Sequence, residues 1–405
     1  MSRGFALLAL AASSAACVRG GFDTPGDASA RDAVADRAAA GDAQTRAHCF
    51  RPRVDLVPCT STRCAGACPV SVALADLDKD GRLDLVMGDD WAGVISVRLG
   101  LGDGSFRQPT DFPVEWDAQE IVVADLDEDG WSDLVVASWN SGVKVFRGTG
   151  GGSFGPAQKI AGPSTPVAVA VADVNGDGHL DLVTGGEDNK VRVTLGLGGG
   201  AFAPSLTLVS TTNYYAVQVV KLDGDSRPDI VATDGASTLT VLLQDGSGTS
   251  GTPTTSSVAS GATGIAAGDL DRDGRADLAV AGVRAGQVEL LLGDGAGAIA
   301  ARSRIPAGPK PVWVTAGDLH HDGTLDLVVT QADGGLVSVL PGLGNGTFAE
   351  RQDLPLASGS GGSIHGLAKS ALGDLDGDGD LDIVAANPAA RNLAVYLSDR
   401  ACTKR

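Results

Sequence analysis

A nine-residue acidic segment recurs along the chain from Asp76, Asp125, Asp173, Lys221, Asp269, Asp318 and Asp374, at steps of 49, 48, 48, 48, 49 and 56 residues. A period of this size marks a repeat architecture, in which each unit buries its apolar surface only against its neighbours. Five copies are complete: DLDKDGRLD, DLDEDGWSD, DVNGDGHLD, DLDRDGRAD and DLDGDGDLD. Two depart from the pattern, KLDGDSRPD and DLHHDGTLD. Each copy lies between a short apolar run such as VSVALA or IVVA and a second such as LDLVMG or SDLVVAS. An alternating segment such as VISVRLG or VKVFRG follows, then a glycine turn and a fourth extended piece. Four short strands per repeat make a propeller blade, and runs apolar on both faces fit sheets packed between two neighbours. Seven copies predict an all-β protein, a seven-bladed β-propeller of four-stranded antiparallel blades.

The acidic segments carry chemistry as well as register. Carboxylates crowded into one loop repel each other unless water or a cation compensates them. Acidic residues at loop positions 1, 3, 5 and 9, with glycine at position 6 and a backbone carbonyl at position 7, follow the early ligand spacing of an EF-hand calcium loop. An EF-hand also needs a glutamate at position 12 between helices, whereas the last copy has Ala385 there and strand-like flanks. The expected Ca2+ ligands are therefore Asp76, Asp78, Asp80 and Asp84; Asp125, Asp127, Asp129 and Asp133; Asp173, Asn175, Asp177 and Asp181; Asp269, Asp271, Asp273 and Asp277; and Asp374, Asp376, Asp378 and Asp382. That makes about five sites. In the fourth loop Lys221 stands at position 1 and Ser226 replaces the glycine, so Lys221 is expected to pair with Asp223, Asp225 or Asp229 in place of an ion. In the sixth loop His320 at position 3 lowers the preference for calcium. Solvated turns are the alternative, and repetition of the pattern in register weighs against it.

Glycine is 57 of 405 residues and aromatic residues are 4%, which suits a turn-rich β protein with small packed strands. The net charge of -19 argues against nucleic acid as a partner. No apolar run reaches the ~20 residues of a spanning helix. At the N-terminus Arg3 and the apolar FALLALAASSAA read as an export signal. SAAC, residues 14 to 17, resembles a bacterial lipobox, which makes Cys17 the expected lipidation site, although Ser14 stands where that pattern prefers an aliphatic residue. Residues 1–17 are thus the signal peptide, 18–47 a disordered Ala/Asp/Gly-rich tether and 48–405 the propeller. The expected location is the bacterial outer membrane or cell surface as a lipoprotein, otherwise the periplasm or medium. The membrane is then reached through the lipid anchor only, and the chain is expected to be monomeric. Export makes the cysteines disulfide candidates. Cys59, Cys64 and Cys68 lack the paired C-x-x-C spacing of a zinc site, which favours a local disulfide.

The seven acidic loops, with the turns GSFGPAQ (152 to 158) and GTFAERQ (346 to 352), resemble the FG-GAP or VCBS repeat family, the integrin-alpha type of β-propeller, over roughly residues 48 to 405. The resemblance implies calcium in the hairpin between the first two strands of each blade and ligands on the opposite face. The last repeat ends after its third strand, and CFRPRVDLVPC (49 to 59) has the form of the missing fourth. The N-terminal strand is therefore expected to complete the last blade and close the ring, bringing Cys49 beside Cys402 in a disulfide.

Strand order places Trp91 and Trp139 on the face opposite the acidic hairpins, at matching turns of the first two blades, with Trp116, Tyr214 and Tyr215 on links between blades and Trp313 near the edge. His365, in the insertion SGSGGSIHG, matches Trp116 in its offset from the following loop. Aromatics on a rigid frame suit sugar or protein recognition, and packing between blades is the alternative. GGSFG (151 to 155) matches a hydrolase elbow, but GGGAF and GNGTF show it to be one form of a repeated hairpin turn. The five histidines show no metal-protease spacing. The expected function is a calcium-stabilised, surface-tethered binding or adhesion module for a protein or glycan, not an enzyme. A calcium-containing polysaccharide lyase is the alternative.

Overall fold

The apolar runs flanking each acidic segment form strands buried on both faces. In the computed structural model, which describes residues 48–58, 68–115, 117–225, 227–245, 253–332, 335–358 and 368–399, the second strand of every blade is buried along its whole length. Successive side chains on a strand point to opposite faces, so one strand serves two interfaces. Leu85 and Met87 pack with Val384, Leu393 and Val395, whereas Val86 packs with Ile121, Leu134 and Val136. The hydrophobic core is therefore divided into layers between neighbouring blades.

Seven four-stranded antiparallel sheets result. The first blade comprises Pro69–Ala75, Asp84–Asp89, Val94–Arg98 and Thr110–Pro113, and the next five repeat that order. The second also carries a small ribbon, Gly148–Gly150 with Ser153–Phe154, in its last turn. In the seventh, Ser370–Gly373, Asp382–Asn387 and Asn392–Tyr396 are joined by Val54–Leu56, which pairs antiparallel with the last of these in the register Val54↔Val395 and Leu56↔Leu393. An N-terminal strand at this edge leaves the outermost ladder of the seventh blade paired like the others. Bonds from Arg51 N to Leu397 O and from Asp399 N to Cys49 O, both 2.8 Å, continue the pairing. No helix occurs among the described residues. Cys17, the tether, Cys59, Cys64, Trp116, His365 and Cys402 lie outside the described residues, and so does the Cys49–Cys402 pairing.

The inner strands meet around a buried ion pair. Lys369, at the entry to the seventh blade, donates to Glu120 Oε1 at 3.1 Å and to Gln119 O at 3.0 Å, and its ammonium lies 5.3 Å from the centre of the Trp313 ring. Glu120 Oε2 accepts the N–H of Val169 at 2.7 Å. Groups from the second, third, sixth and seventh blades thus share one charge pair, with Lys369 3% and Glu120 1% exposed. Burial draws the Lys369 ammonium below its usual range, and the Glu120 carboxylate opposes this. Breaking a buried pair strands the remaining charge, so Lys369→Met is expected to destabilise the fold by about 3–5 kcal/mol. Replacing Glu120 with Gln in the same chain should recover part of that loss, measured by denaturant unfolding of both variants.

Candidate functional site

Each acidic loop is built around its ninth residue. Asp84, Asp133, Asp181, Asp229, Asp277, Asp326 and Asp382 are each at most 1% exposed. In all seven, Oδ2 accepts the backbone N–H of loop position 2 and Oδ1 accepts an N–H at the exit of the third strand, at 2.7–3.1 Å. The donor at the strand exit is glycine in five blades: Gly100, Gly148, Gly196, Gly293 and Gly342. A Cβ on Gly100 would stand 2.1 Å from Leu83 O, so the close approach of these two chain segments requires glycine there.

Burial makes ionisation costly for six of these carboxyls. It pushes Asp181 up to about 6 and Asp382 up to about 7, against the pull of their backbone hydrogen bonds. Asp84, Asp133, Asp229 and Asp277 rise for the same reason.

The other acids line the loop itself. The chain bends at position 4 through a left-handed residue, Lys79, Glu128, Arg272 and His321 in four loops and Gly176, Gly224 and Gly377 in three. Single oxygens from Asp76, Asp78 and Asp84 lie within 4.8 Å of one another, as do those from Asp125, Asp127 and Asp129, from Asp269, Asp271 and Asp273, and from Asp374, Asp376 and Asp382. These four sets could hold a metal ion. Their donors are all oxygen, and Asp125 Oδ1 is buried without a hydrogen-bond partner, so the residues present fit a hard cation. Asp80 is drawn toward Arg82, with Nε–Oδ2 at 2.9 Å, and Arg51 of the closing segment lies 2.6 Å from Asp376. In the third loop the Asn175 amide donates to Asp177 Oδ2 at 2.8 Å while its oxygen accepts the Asp177 N–H.

The two divergent loops keep the position-9 bonds. In the fourth, the pairing expected of Lys221 is not present among the described residues. Lys221 is exposed, and Asp225 instead faces Arg227 at 3.7 Å. A lysine at the first loop position keeps its ammonium in water, because it cannot accept the loop N–H groups that an aspartate accepts there. In the sixth, His320 Nδ1 lies 2.8 Å from Asp326 Oδ2, and the ring meets His48 edge-on at 4.8 Å.

Adjacent loops also touch. Lys79 lies 4.1 Å from the Trp131 ring centre, Glu128 meets His179 at 2.5 Å and His321 meets Asp380 at 3.0 Å. Each contact joins position 4 of one loop to position 7 of the next, a link that the one-loop reading of the sequence missed.

On the opposite face the aromatics divide. Trp91 is 67% exposed at the turn between the second and third strands of the first blade. Trp139, at the matching turn of the second, is partly buried and donates to Glu187 Oε2 at 2.8 Å. Tyr214 and Tyr215 do not form an open surface, contrary to expectation, being 1% and 7% exposed in the core between the third and fourth blades. Gly185 leaves the room they need, since a Cβ there would stand 3.0 Å from the Tyr214 Cβ. Trp313 is likewise buried, with Nε1 donating to Thr315 Oγ1 at 3.2 Å.

The FG-GAP-like repeat model matches residues 76–136, 125–184, 173–232, 221–280 and 321–385. The chain belongs to the FG-GAP-like repeat family. No curated protein matches it in sequence. Among solved structures, this FG-GAP propeller is similar to an Agrocybe aegerita lectin whose structure describes specific recognition of non-reducing terminal N-acetylglucosamine, with 21% identity and a TM-score of 0.54 over 80% of this chain and 86% of the lectin. It is also similar to BBS1N, solved in complex with ARL6DN, with 14% identity and a TM-score of 0.57 over 85% of this chain and 97% of that one. At these identities the likeness is one of fold.

The position-9 bonds give a test in the loop least suited to an ion. Asp229→Ala orphans the N–H groups of Leu222 and Gln244. At about 1–3 kcal/mol for each unsatisfied buried group, a loss of about 2–6 kcal/mol is expected. Melting curves should show the same loss with and without added divalent cation.

Proposed function

We propose that this FG-GAP propeller is a calcium-stabilised, surface-tethered binding module that holds a protein or glycan on the face opposite its acidic loops. The observation that carries the reading is a division of labour between the faces. The acidic loops are occupied with tying strands and neighbouring blades together, whereas the opposite face presents Trp91 with 67% of its surface open on a hydrogen-bonded turn. The lectin and BBS1N indicate that similar frames carry sugar recognition in one protein and a protein partner in another. Retention at the bacterial surface would follow from lipidation of Cys17, with residues 18–47 as the tether.

Binding is favoured over catalysis by the state of the Ser–His contact at the ring closure. Ser398 lies 2.8 Å from His48 Nε2, but it is 1% exposed and donates to Leu381 O. Burial and the neighbouring His320 hold His48 down at about 4, leaving a neutral ring packed against the closing strand instead of a base poised near neutrality.

In this reading the acids at positions 1, 3, 5 and 9, with the backbone carbonyl of position 7, would hold calcium. Calorimetric titration is expected to give about five sites. Two or fewer would remove the five-loop assignment. The pH dependence has a defined sign. Carboxyls raised in the folded state from 3.8 to about 6 in Asp181 and about 7 in Asp382 contribute stability to the ion-free protein that is full below the unfolded value and lost as pH rises through the folded one. Calcium needs the ionised form and opposes that loss. The rise in melting temperature on adding calcium should therefore be larger at pH 8 than at pH 5.5; an equal rise would place the ion elsewhere.

The binding role is tested by presenting the calcium-loaded protein to a glycan array and to intact cell surfaces, with an assay for released product. Retained ligand without turnover is expected. New reducing ends would replace binding with a lyase or hydrolase, and retention by neither surface would leave only a scaffold.

A further inference from the structure

We infer that the junction of the first and second blades, on the face opposite the acidic loops, is a site for neutral or amino saccharides, built from Trp91, Asp90 and Gln119. The inference rests on the binding-module reading and assigns that module a place and a ligand class.

The turn that carries Trp91 is fixed from beneath. Asp89 is fully buried, and its Oδ1 accepts the backbone N–H of Trp91 at 2.7 Å as well as that of Ala92. Asp90 N donates to Cys68 O at 3.0 Å, and Ala118 N, on the approach to the second blade, donates to Asp89 O at 2.9 Å. An indole 67% exposed on a turn so restrained is a preformed flat surface, and stacking a ligand on it requires little further ordering.

Beside it lies an unmatched acceptor. Gln119 is 1% exposed, and its Nε2 donates to Asp90 Oδ1 at 2.6 Å. Its Oε1 is buried and has no hydrogen-bond partner. The two atoms share one amide carbon, so Oε1 stands next to the Asp90 carboxylate and close to the Trp91 turn. A buried acceptor left unpaired is unfavourable, and a donor from a ligand removes that deficit.

These features select among ligands. The amide oxygen of Gln119 calls for an O–H or N–H donor, while the indole offers an apolar face. A pyranose supplies both, with hydroxyl or acetamido donors at its edge and C–H groups on its face. Asp89, Asp90 and Asp117 stand together at this junction; burial raises the Asp89 carboxyl, and the nearby charge of Asp117 adds to that. Like charge disfavours uronates, sialates and sulfated sugars there. A site that repels uronates also argues against the lyase alternative, whose substrates carry that carboxylate.

The calcium-loaded full chain would be titrated with N-acetylglucosamine, glucosamine, galactose, mannose and galacturonate, followed by calorimetry and indole fluorescence. At least one neutral or amino sugar should bind and galacturonate should not. Trp91→Ala, a change at an exposed position, should weaken that binding at least tenfold, and Gln119→Met should weaken it as well, while Trp139→Phe should leave it within twofold. A sugar that binds the Trp91→Ala protein undiminished overturns the site and leaves the module standing. Preference for galacturonate overturns the ligand class. If no sugar binds while cell surfaces still retain the protein, the saccharide site falls and the module survives. Failure of both removes the two together.

Discussion

Seven buried carboxylates, one per blade, each join the start of an acidic loop to the exit of the third strand. The loops differ in almost everything else. One has lysine at its first position, another histidine at its third, yet Asp229 and Asp326 make the same two bonds as their counterparts. The contact depends on no ion and works at a distance of seven residues on one side and fifteen or sixteen on the other. It fixes the hairpin to the third strand before any cation enters. An ion bound by the ninth residue together with the acids at positions 1, 3 and 5 would then find a loop already bent to receive it, which lowers the ordering that binding requires.

A ring of seven small sheets with few aromatics must also hold its neighbours in place. The buried cores between blades provide most of this, and the loops add a belt. Left-handed backbone at a non-glycine residue is disfavoured, yet Lys79, Glu128 and His321 adopt it, and each touches the following loop. Cross-blade contact offsets a local conformational cost. The belt meets the ring closure where His321 reaches Asp380 and Arg51 reaches Asp376, so the seventh loop is held from both sides.

The fold was legible because its signal was periodic: the steps near 48 residues located every hairpin, and the apolar runs gave strands with two buried faces. The ninth residue was legible only in part. It carries the same letter as the ligand positions, and its presence in the two divergent loops was the available sign that it serves the backbone as well. Tyr214 and Tyr215 were placed on the open face because a link between blades can turn its aromatics outward or down, and sequence order does not distinguish these. Gly185, a residue with no side chain in the middle of a fully buried stretch, was the cue that something large packs over it. Nothing local could reveal Lys369 and Glu120 as partners, since 249 residues separate them and only ring closure brings them together.

The arrangement also supports placing the proposed recognition on one face. Residues at the acidic hairpins are committed to each other through backbone bonds, ion pairs between neighbours and a shared demand for positive charge. A ligand placed there would compete with the groups that hold the blades in register. The turns between second and third strands carry no such common duty: Asp89 fixes one, Trp139 and Glu187 link two others, and the residues above them differ from blade to blade. Variation is tolerated where the repeated carboxylate clamp is absent, and a specific site can arise at one junction without disturbing the six others. The buried Lys369–Glu120 pair fixes the inner strands beneath that junction, since Gln119 O accepts from the same ammonium. The segment that carries Gln119 beside Asp90, just before the first strand of the second blade, is thereby tied to the seventh blade.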